Sequence, residues 1–218
     1  MNKDLPDNIP DLLNLIGLVY DYRINQCGPV AKGVFWSNPD QHVLRYELLL
    51  QAVLPQDLNG PISINDLGCG YGALFDLVRS EPMMTHGRYV GYDISEKMVT
   101  AAQAKHSDAR AKFITSPIAT EAADYSFASG TYNMSMGAER ELWTHYIKTS
   151  LQALWGKSKK AMAFNMLGKK LKNELGDLYY ADKDEFIKFA LTLSPEVDVV
   201  DDYIGKEFTI IVTRTEAL

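Results

Sequence analysis

The chain has 218 residues, of which 46% are hydrophobic and 23% charged, and this composition is typical of a folded globular protein with a sizeable core. Its formal net charge of -6 argues against a nucleic-acid partner, because phosphate binding requires clustered Lys and Arg. Two cysteines, Cys27 and Cys69, exclude a disulfide framework, and no Cys/His cluster has the spacing of a zinc site, so no metal is expected.

The N-terminal sequence has no signal-peptide pattern, and no apolar run is long enough to span a bilayer. These two observations predict a cytoplasmic protein with no membrane partner. The length favours a single domain over residues 1–218, which we divide into an N-terminal helical cap at 1–56 and a core at 57–218.

The N-terminal quarter of the chain predicts two helices joined by a loop. Residues 11–20 are apolar enough for a first helix, with Asp11 as its N-cap. Residues 21–37 are rich in aromatic side chains and glycine, and they predict a loop that either folds over a site or packs as an N-terminal strap. Asn38, Pro39 and Asp40 are typical of a helix start, and the second helix should run to about residue 54.

The centre of the chain is a short strand followed by a glycine turn. Ile62, Ile64 and Leu67 predict a buried strand, and a helix begins at residue 73. Between them, the glycines at positions 68, 70 and 72 permit backbone angles closed to other residues and let a ligand approach the main chain. A ligand over this turn would meet backbone N–H groups and the N-terminus of the helix.

Two kinds of ligand fit this turn, and a tight turn without any ligand is the simpler alternative. Gly68-x-Gly70-x-x-Ala73 matches the dinucleotide pattern G-x-G-x-x-[G/A], which places a pyrophosphate at the helix N-terminus. Asp66, at the end of the strand, would repel a pyrophosphate but can accept a hydrogen bond from an ammonium group. The carboxylate therefore favours a zwitterionic, cationic ligand over a dinucleotide.

A second strand, at residues 89–93, ends at another carboxylate, Asp93. Asp93 lies 25 residues after Gly68, close to the spacing described for acids that bind ribose, because a carboxylate can accept hydrogen bonds from both hydroxyls of a diol. Its alternative role is a helix N-cap, but Ser95 is better placed to cap the helix that runs to about residue 106.

The rest of the chain predicts further strands and helices in alternation. They are expected as a strand at 111–116, a strand with its exit loop at 122–133, a helix at 139–155, a strand at 160–167, a connector at 171–176, a helix at 183–193 capped by Asp182, and a terminal β-hairpin at 196–203 and 207–213.

A family resemblance is carried by Asp66-Leu67-Gly68-Cys69-Gly70-Tyr71-Gly72, which resembles motif I (D/E-x-G-x-G-x-G) of the class I S-adenosylmethionine-dependent methyltransferases. Asp93 matches motif II of that family. The resemblance implies an α/β fold with a doubly wound (Rossmann-like), seven-stranded, mainly parallel sheet, an antiparallel C-terminal hairpin and an N-terminal helical cap. It also implies S-adenosyl-L-methionine as cofactor, with contacts from Asp66, Gly68, Cys69, Gly70, Tyr71, Asp93, Ile94, Ser116, Ile118, Ser129 and Arg45.

Three segments bear on the details of this resemblance. At the place where the family contacts adenine, the usual acidic residue is missing, and Ser116 offers a hydroxyl and Ile118 an apolar face. Residues 33–46 resemble the N-terminal segment of a bacterial methyltransferase subgroup of undefined substrate, in which Arg45 either pairs with the ligand carboxylate or lies at the surface. Residues 122–133 resemble motif IV but lack [D/N/S]-P-P-[Y/F], which disfavours methylation of nucleic-acid bases.

The resulting hypothesis is methyl transfer to an oxygen or nitrogen of a small molecule, driven mainly by proximity. Candidates for acceptor positioning or proton removal, each with a purely structural alternative, are Tyr22, Tyr132, His145, Tyr179 and Tyr180. Two other hypotheses remain: a regulatory or partner module that binds S-adenosylmethionine without catalysis, and an NAD-dependent oxidoreductase, against which Asp66 counts.

Overall fold

The computed structural model describes residues 9–169, 175–201 and 203–215. Its strands are β1 (Ser63–Leu67), β2 (Arg88–Asp93), β3 (Ala111–Thr115), β4 (Ala123–Ala128), β5 (Ser158–Leu167), β6 (Glu196–Asp201) and β7 (Glu207–Thr213). They form one seven-stranded sheet in the order β3-β2-β1-β4-β5-β7-β6. Strands β1 to β5 pair in parallel, and β7 runs antiparallel to both β5 and β6.

The helices are α1 (Ile9–Cys27), α2 (Pro39–Leu50), α3 (Ala73–Val78), α4 (Glu96–Lys105), α5 (Arg140–Trp155) and α6 (Lys183–Leu193). Buried side chains of α1, α5 and α6 pack on one face of the sheet, and those of α2, α3 and α4 pack on the other. Both faces are covered because successive strand residues point to opposite sides: Phe127 of β4 packs with the second group of helices and Ala128 with the first. The predicted doubly wound fold with a terminal antiparallel hairpin is confirmed.

Local capping signals place several helix starts where the sequence predicts them. The Asn38 side chain accepts hydrogen bonds from the backbone N–H groups of Asp40 and Gln41 at 2.9 and 3.2 Å. Ser95 and Asp182 likewise accept from the N–H groups three residues ahead, at 3.0 and 3.2 Å. Each cap satisfies donors that the first helical turn leaves unpaired.

The prediction of a loop over residues 21–37 is wrong for its first part. Helix α1 begins at Ile9, before the predicted cap Asp11, and continues to Cys27. It ends at Gly28, whose φ of 74° allows its N–H to bond the Ile24 carbonyl at 2.7 Å. A short 3-10 helix at Ala31–Val34 follows. The composition of this stretch misled because α1 lies largely on the surface here, with Ile24 its one buried residue after residue 17.

Parts of the sequence predictions fall outside the described residues. These are residues 1–8 and 216–218 of the predicted domain, positions 171–174 of the predicted connector and position 202 of the predicted hairpin. Across the described ranges, no helix is both long enough and apolar enough to cross a bilayer.

Candidate functional site

The glycine turn after β1 is held to β2 by its own backbone. Gly68, Gly70 and Gly72 have φ angles of 76°, 52° and 81°, which side-chain-bearing residues rarely adopt. The N–H groups of Gly68 and Cys69 bond the Tyr92 carbonyl at 2.7 and 3.0 Å, and Gly70 N–H bonds the Asp93 carboxylate at 2.8 Å. These three N–H groups are therefore paired within the protein, and they fix the shape of the turn.

Asp93 sits at the carboxyl end of β2 and lines a cavity at that edge of the sheet. Its Oδ1 accepts from the Ser95 N–H at 2.9 Å, and its Oδ2 accepts from Gly70. Burial, opposed by these N–H bonds, raises the pKa of the Asp93 carboxyl to about 6. Each carboxylate oxygen keeps a lone pair with which it can accept a hydrogen bond from a ligand hydroxyl.

Asp66 lies beneath the glycine turn and is almost fully buried. Its Oδ2 accepts a hydrogen bond from the Tyr89 hydroxyl, whereas its Oδ1 has no partner. Burial, opposed by the Tyr89 bond and reinforced by the nearby Asp93, raises the pKa of Asp66 to about 7. A buried carboxylate oxygen without a partner is costly, and a cationic group placed there would relieve that cost.

The cavity has two halves of different character. The glycine-turn half is lined by Gly68, Gly70, Asp93, Ile94, Ser116 and Ser129. The aromatic half is lined by Trp36, Asn133, Met134, Trp143, Tyr146 and Leu178. Gly130 and Thr131, in the loop after β4, join the two halves, because Gly130 abuts Trp36 and Thr131 abuts Gly68.

The N-terminal segment, which we define as α1 and the stretch that follows it to Trp36, covers this cavity. Leu13 and Ile16 of α1 and Phe35 and Trp36 of the following segment contribute to its wall. Asp21 accepts a hydrogen bond at 2.5 Å from the Ser95 hydroxyl at the start of α4. Helix α1 is thereby tied to the strand end that carries Asp93, and the cavity lies between the N-terminal segment and the sheet.

Six of the predicted cofactor residues line the cavity, namely those of the glycine-turn half. The others lie elsewhere. The Cys69 thiol is buried and contacts the Gly70 carbonyl at 3.6 Å, while Tyr71 packs with Ile24 and Met98. Ile118 is 48% exposed, so it does not offer the cavity the apolar face that was expected.

Arg45 lies neither at the surface nor in the cavity wall. Its guanidinium makes a two-pronged ion pair with Glu207 at the start of β7, with Nε to Oε2 at 2.6 Å, and both side chains are buried. A third bond joins its Nη1 to the Gln41 carbonyl at 2.8 Å. The carboxylate partner that the sequence assigned to a ligand is supplied by the protein itself.

The structure places the five candidate acceptor residues away from the cavity. Tyr22 is 68% exposed on α1, and His145 is exposed on α5. The Tyr132 hydroxyl is within 3.0 Å of Ser150, and the Tyr179 hydroxyl is within 2.7 Å of Thr144.

Tyr180 is buried, and its hydroxyl accepts from the Leu175 N–H at 3.3 Å.

Trp143 and Tyr146 are among the cavity-lining residues that sequence reasoning missed. Their i, i+3 spacing on one face of α5 was a usable signal, but it indicated burial rather than a cavity wall.

Gly68→Ala is expected to lower both the stability of the protein and its affinity for a ligand at the glycine turn. The new Cβ would lie 2.5 Å from the Thr131 Oγ1 and 2.8 Å from its Cγ2. Thr131 has little freedom to move, because its hydroxyl bonds the Leu67 carbonyl at 2.7 Å. With the positive φ, we expect a loss of about 2–4 kcal/mol and a fall in Tm of roughly 5–10 °C by scanning fluorimetry.

The control is Gly60→Ala, since a Cβ at Gly60 would meet no atom within 4 Å. It should leave both Tm and affinity unchanged. Equal Tm values for the two variants would contradict the tight approach of Thr131 to the turn.

The sheet order and the site define a Rossmann-like protein that holds a ligand at the carboxyl ends of its strands, beside a glycine turn and a strand-end carboxylate. Residues 64–157 match the sequence profile of a family described as methyltransferase domain. Rv1506c of Mycobacterium tuberculosis, whose name describes it as a methyltransferase, is 37% identical over 161 residues, covering 71% of this chain and 94% of that protein. The chain belongs to the class I S-adenosylmethionine-dependent methyltransferases.

Solved structures share the fold over most of the chain. Magnesium protoporphyrin IX methyltransferase from Synechocystis PCC 6803, with S-adenosylmethionine bound, has a TM-score of 0.61 at 18% identity and covers 99% of this chain and 100% of that one. The plantazolicin methyltransferase BpumL, with S-adenosylhomocysteine bound, has a TM-score of 0.57 at 13% identity and covers 95% and 99%.

Proposed function

We propose that the methyl acceptor is a small molecule and that the methyl group passes to one of its oxygen or nitrogen atoms by in-line displacement. The observation that supports this most directly is the position of the aromatic half of the cavity. It adjoins the glycine-turn half at Gly130 and lies under the N-terminal segment. Such a covered space suits a small molecule better than a polymer, which needs an open groove. The acidic net charge of -6 also disfavours a nucleic acid.

We assign the cofactor contacts to the glycine-turn half and to Asp66. Asp93, in the cavity wall, would accept from the ribose hydroxyls. Asp66 lies outside the wall, and we assign the ammonium group to its buried, unpartnered Oδ1. Ile94 and Ser116 would border the adenine, and Ser129 the end where the methyl group lies. S-adenosylmethionine supplies a methyl group already activated by its sulfonium.

The protein contribution in this proposal is positioning and exclusion of water. Among the described residues that line the cavity, the titratable groups are Tyr20, Asp93 and Tyr146. Burial raises the pKa of both tyrosines, that of Tyr146 to about 12, so neither accepts a proton at neutral pH. His42 packs beside Trp36 but outside the wall, and burial lowers its pKa to about 4. Proximity is therefore the main source of rate.

The N-terminal helices and the core act together in this proposal, because both contribute to the cavity wall. We propose that residues 1–56 act as a cap over the core at 57–218, since α1 and Trp36 contribute to the cavity wall.

The names of the two structural neighbours above refer to a porphyrin and to plantazolicin, neither of which is a nucleic acid. They illustrate the kind of acceptor that the fold accommodates.

Methyl-labelled S-adenosylmethionine incubated with the purified protein and a fractionated cell extract tests this proposal. Label is expected in the small-molecule fraction, and Asp93→Ala should abolish its transfer. Label that enters only the protein or nucleic-acid fraction would contradict a small-molecule acceptor.

Cofactor binding is expected to weaken as the pH falls through about 6. The ribose contact requires an ionised Asp93, whose pKa burial raises to about 6. Below that pH the carboxyl must first lose a proton, which costs about 1.4 kcal/mol, or about tenfold in affinity, per pH unit. Calorimetric titration with S-adenosylhomocysteine between about pH 7.5 and 5 measures the slope. Asp93→Asn should reduce it and leave only the part that Asp66, whose pKa burial raises to about 7, contributes through the ammonium contact. A wild-type affinity that stays constant over this range would count against the role of Asp93.

A further inference from the structure

The two halves of the cavity differ in charge. Among the described lining residues, the one carboxylic acid is Asp93, in the glycine-turn half, and no Lys, Arg or His contributes to the wall. Burying an ion without a counter-charge is strongly unfavourable, because the ion loses its hydration. A charged acceptor would find no opposite charge in the described aromatic half to offset that cost.

Most polar side chains around the aromatic half already bond within the protein. The Thr131 hydroxyl donates to the Leu67 carbonyl, and the Trp143 indole N–H donates to the Tyr132 carbonyl at 2.9 Å. Asn133 is different. Its Oδ1 accepts from the Leu167 N–H at 3.4 Å, whereas its Nδ2 has no hydrogen-bond partner in the described part of the chain and is not fully buried. The Asn133 amide thus offers the cavity a free hydrogen-bond donor.

The Trp36 indole forms part of the cavity wall and is supported from two sides. The Arg45 guanidinium carbon lies 3.7 Å from its ring centroid, and Glu207 holds that guanidinium through two bonds. At Gly130, an added Cβ would come within 2.7 Å of the Trp36 ring, so the indole rests directly on the backbone there. One face of the indole is therefore occupied by a cation, which disfavours a second cation on this ring.

We infer that the acceptor is an uncharged, largely apolar ring compound that lies between Trp36 and the Trp143–Tyr146 face, with a polar atom that accepts a hydrogen bond from the Asn133 amide. This inference rests on the proposed function, because it names the acceptor class of the same site. It also assigns Trp36 as a specificity-determining residue and Arg45 and Glu207 as the residues that position it.

The test uses shape-matched probes on protein saturated with S-adenosylhomocysteine. The probes are 2-naphthol, which is neutral, 2-naphthoate, an anion, and 2-naphthylmethylammonium, a cation. Calorimetric titration should show 2-naphthol binding at least about tenfold more tightly than either ion. If either ion binds as tightly as 2-naphthol, or if 2-naphthol does not bind, the inference is overturned.

Two variants locate the binding. Trp36→Ala should weaken 2-naphthol binding at least about tenfold while S-adenosylhomocysteine affinity stays within about threefold, and the control Tyr22→Ala, on the exposed face of α1, should change neither. Asn133→Ala should remove the preference for 2-naphthol over naphthalene, because naphthalene has no atom to accept the amide hydrogen bond. Unchanged probe binding in Trp36→Ala, or an unchanged preference in Asn133→Ala, would overturn the assignment.

The design separates this inference from the proposed function. S-adenosylhomocysteine that fails to bind the wild-type protein would overturn the proposed site as a whole. Normal S-adenosylhomocysteine binding with the wrong probe selectivity would overturn the acceptor class alone. The probe comparison uses the unaltered protein, so it does not depend on any variant folding.

Discussion

Asp93→Ala is expected to lose affinity for S-adenosylhomocysteine by at least about 100-fold, or about 2.7 kcal/mol. The carboxylate sits at the end of β2 in the cavity wall, where it can accept from two ribose hydroxyls, and alanine accepts from neither. The same carboxylate bonds the Gly70 N–H, so its removal also loosens the turn. Calorimetric titration of both proteins at pH 7.5 measures the difference.

The matched control for this substitution is Asp124→Ala. Asp124 also holds the backbone at a strand end, since its Oδ2 accepts from the Ser63 N–H at 2.8 Å and the Ser63 hydroxyl at 2.6 Å. It lies outside the cavity wall. Asp124→Ala should lower Tm and leave the affinity within about threefold. Similar affinity losses in the two variants would mean that Asp93 acts through folding rather than through the ligand.

Asp66→Asn is expected to stabilise the protein without ligand while weakening S-adenosylhomocysteine binding. Burial raises the pKa of Asp66 to about 7, so the ionised carboxyl destabilises the folded state by roughly 4 kcal/mol at pH 8. Asparagine keeps an acceptor for the Tyr89 hydroxyl and removes the charge. It also removes the partner that we assign to the ligand ammonium. Stability and affinity should therefore change in opposite directions.

The sign of this effect follows from linkage. The folded pKa lies above the unfolded value of about 3.8, so the destabilisation by Asp66 grows as the pH rises from about 4 to 7 and is constant above that. The Tm gain of Asp66→Asn should thus be several degrees at pH 8 and much smaller at pH 5. Scanning fluorimetry at both pH values checks it. A lower Tm at pH 8 would show that Asp66 is ionised at little cost.

Asp57→Asn is the matched control with the opposite expected sign. Asp57 also accepts from a tyrosine hydroxyl, that of Tyr125 at 2.5 Å, but it has a cation as well, with the Lys160 ammonium at 2.6 Å. Although burial by itself raises the pKa of Asp57, its bonds to Lys160 and Tyr125 together lower it below the usual value. Asp57→Asn should lower Tm at pH 8 and leave S-adenosylhomocysteine affinity unchanged.

The sequence by itself determined the features that depend on neighbouring residues. The caps at Asn38, Ser95 and Asp182 involve residues two or three positions ahead, so their side-chain chemistry is readable locally. Strand ends follow from apolar runs, which is why Asp66 and Asp93 could be placed at the same edge of the sheet before the fold was known.

Only the tertiary structure decided which side chains form the cavity wall and which of them are already paired. Arg45 and Glu207 are 162 residues apart, and no local spacing predicts that one neutralises the other. Tyr22 and Tyr146 are both tyrosines on amphipathic helices, yet packing leaves the first exposed and turns the second into the cavity. The physical reason is that burial and pairing depend on what the rest of the chain brings to each face, which a residue and its neighbours in sequence do not encode.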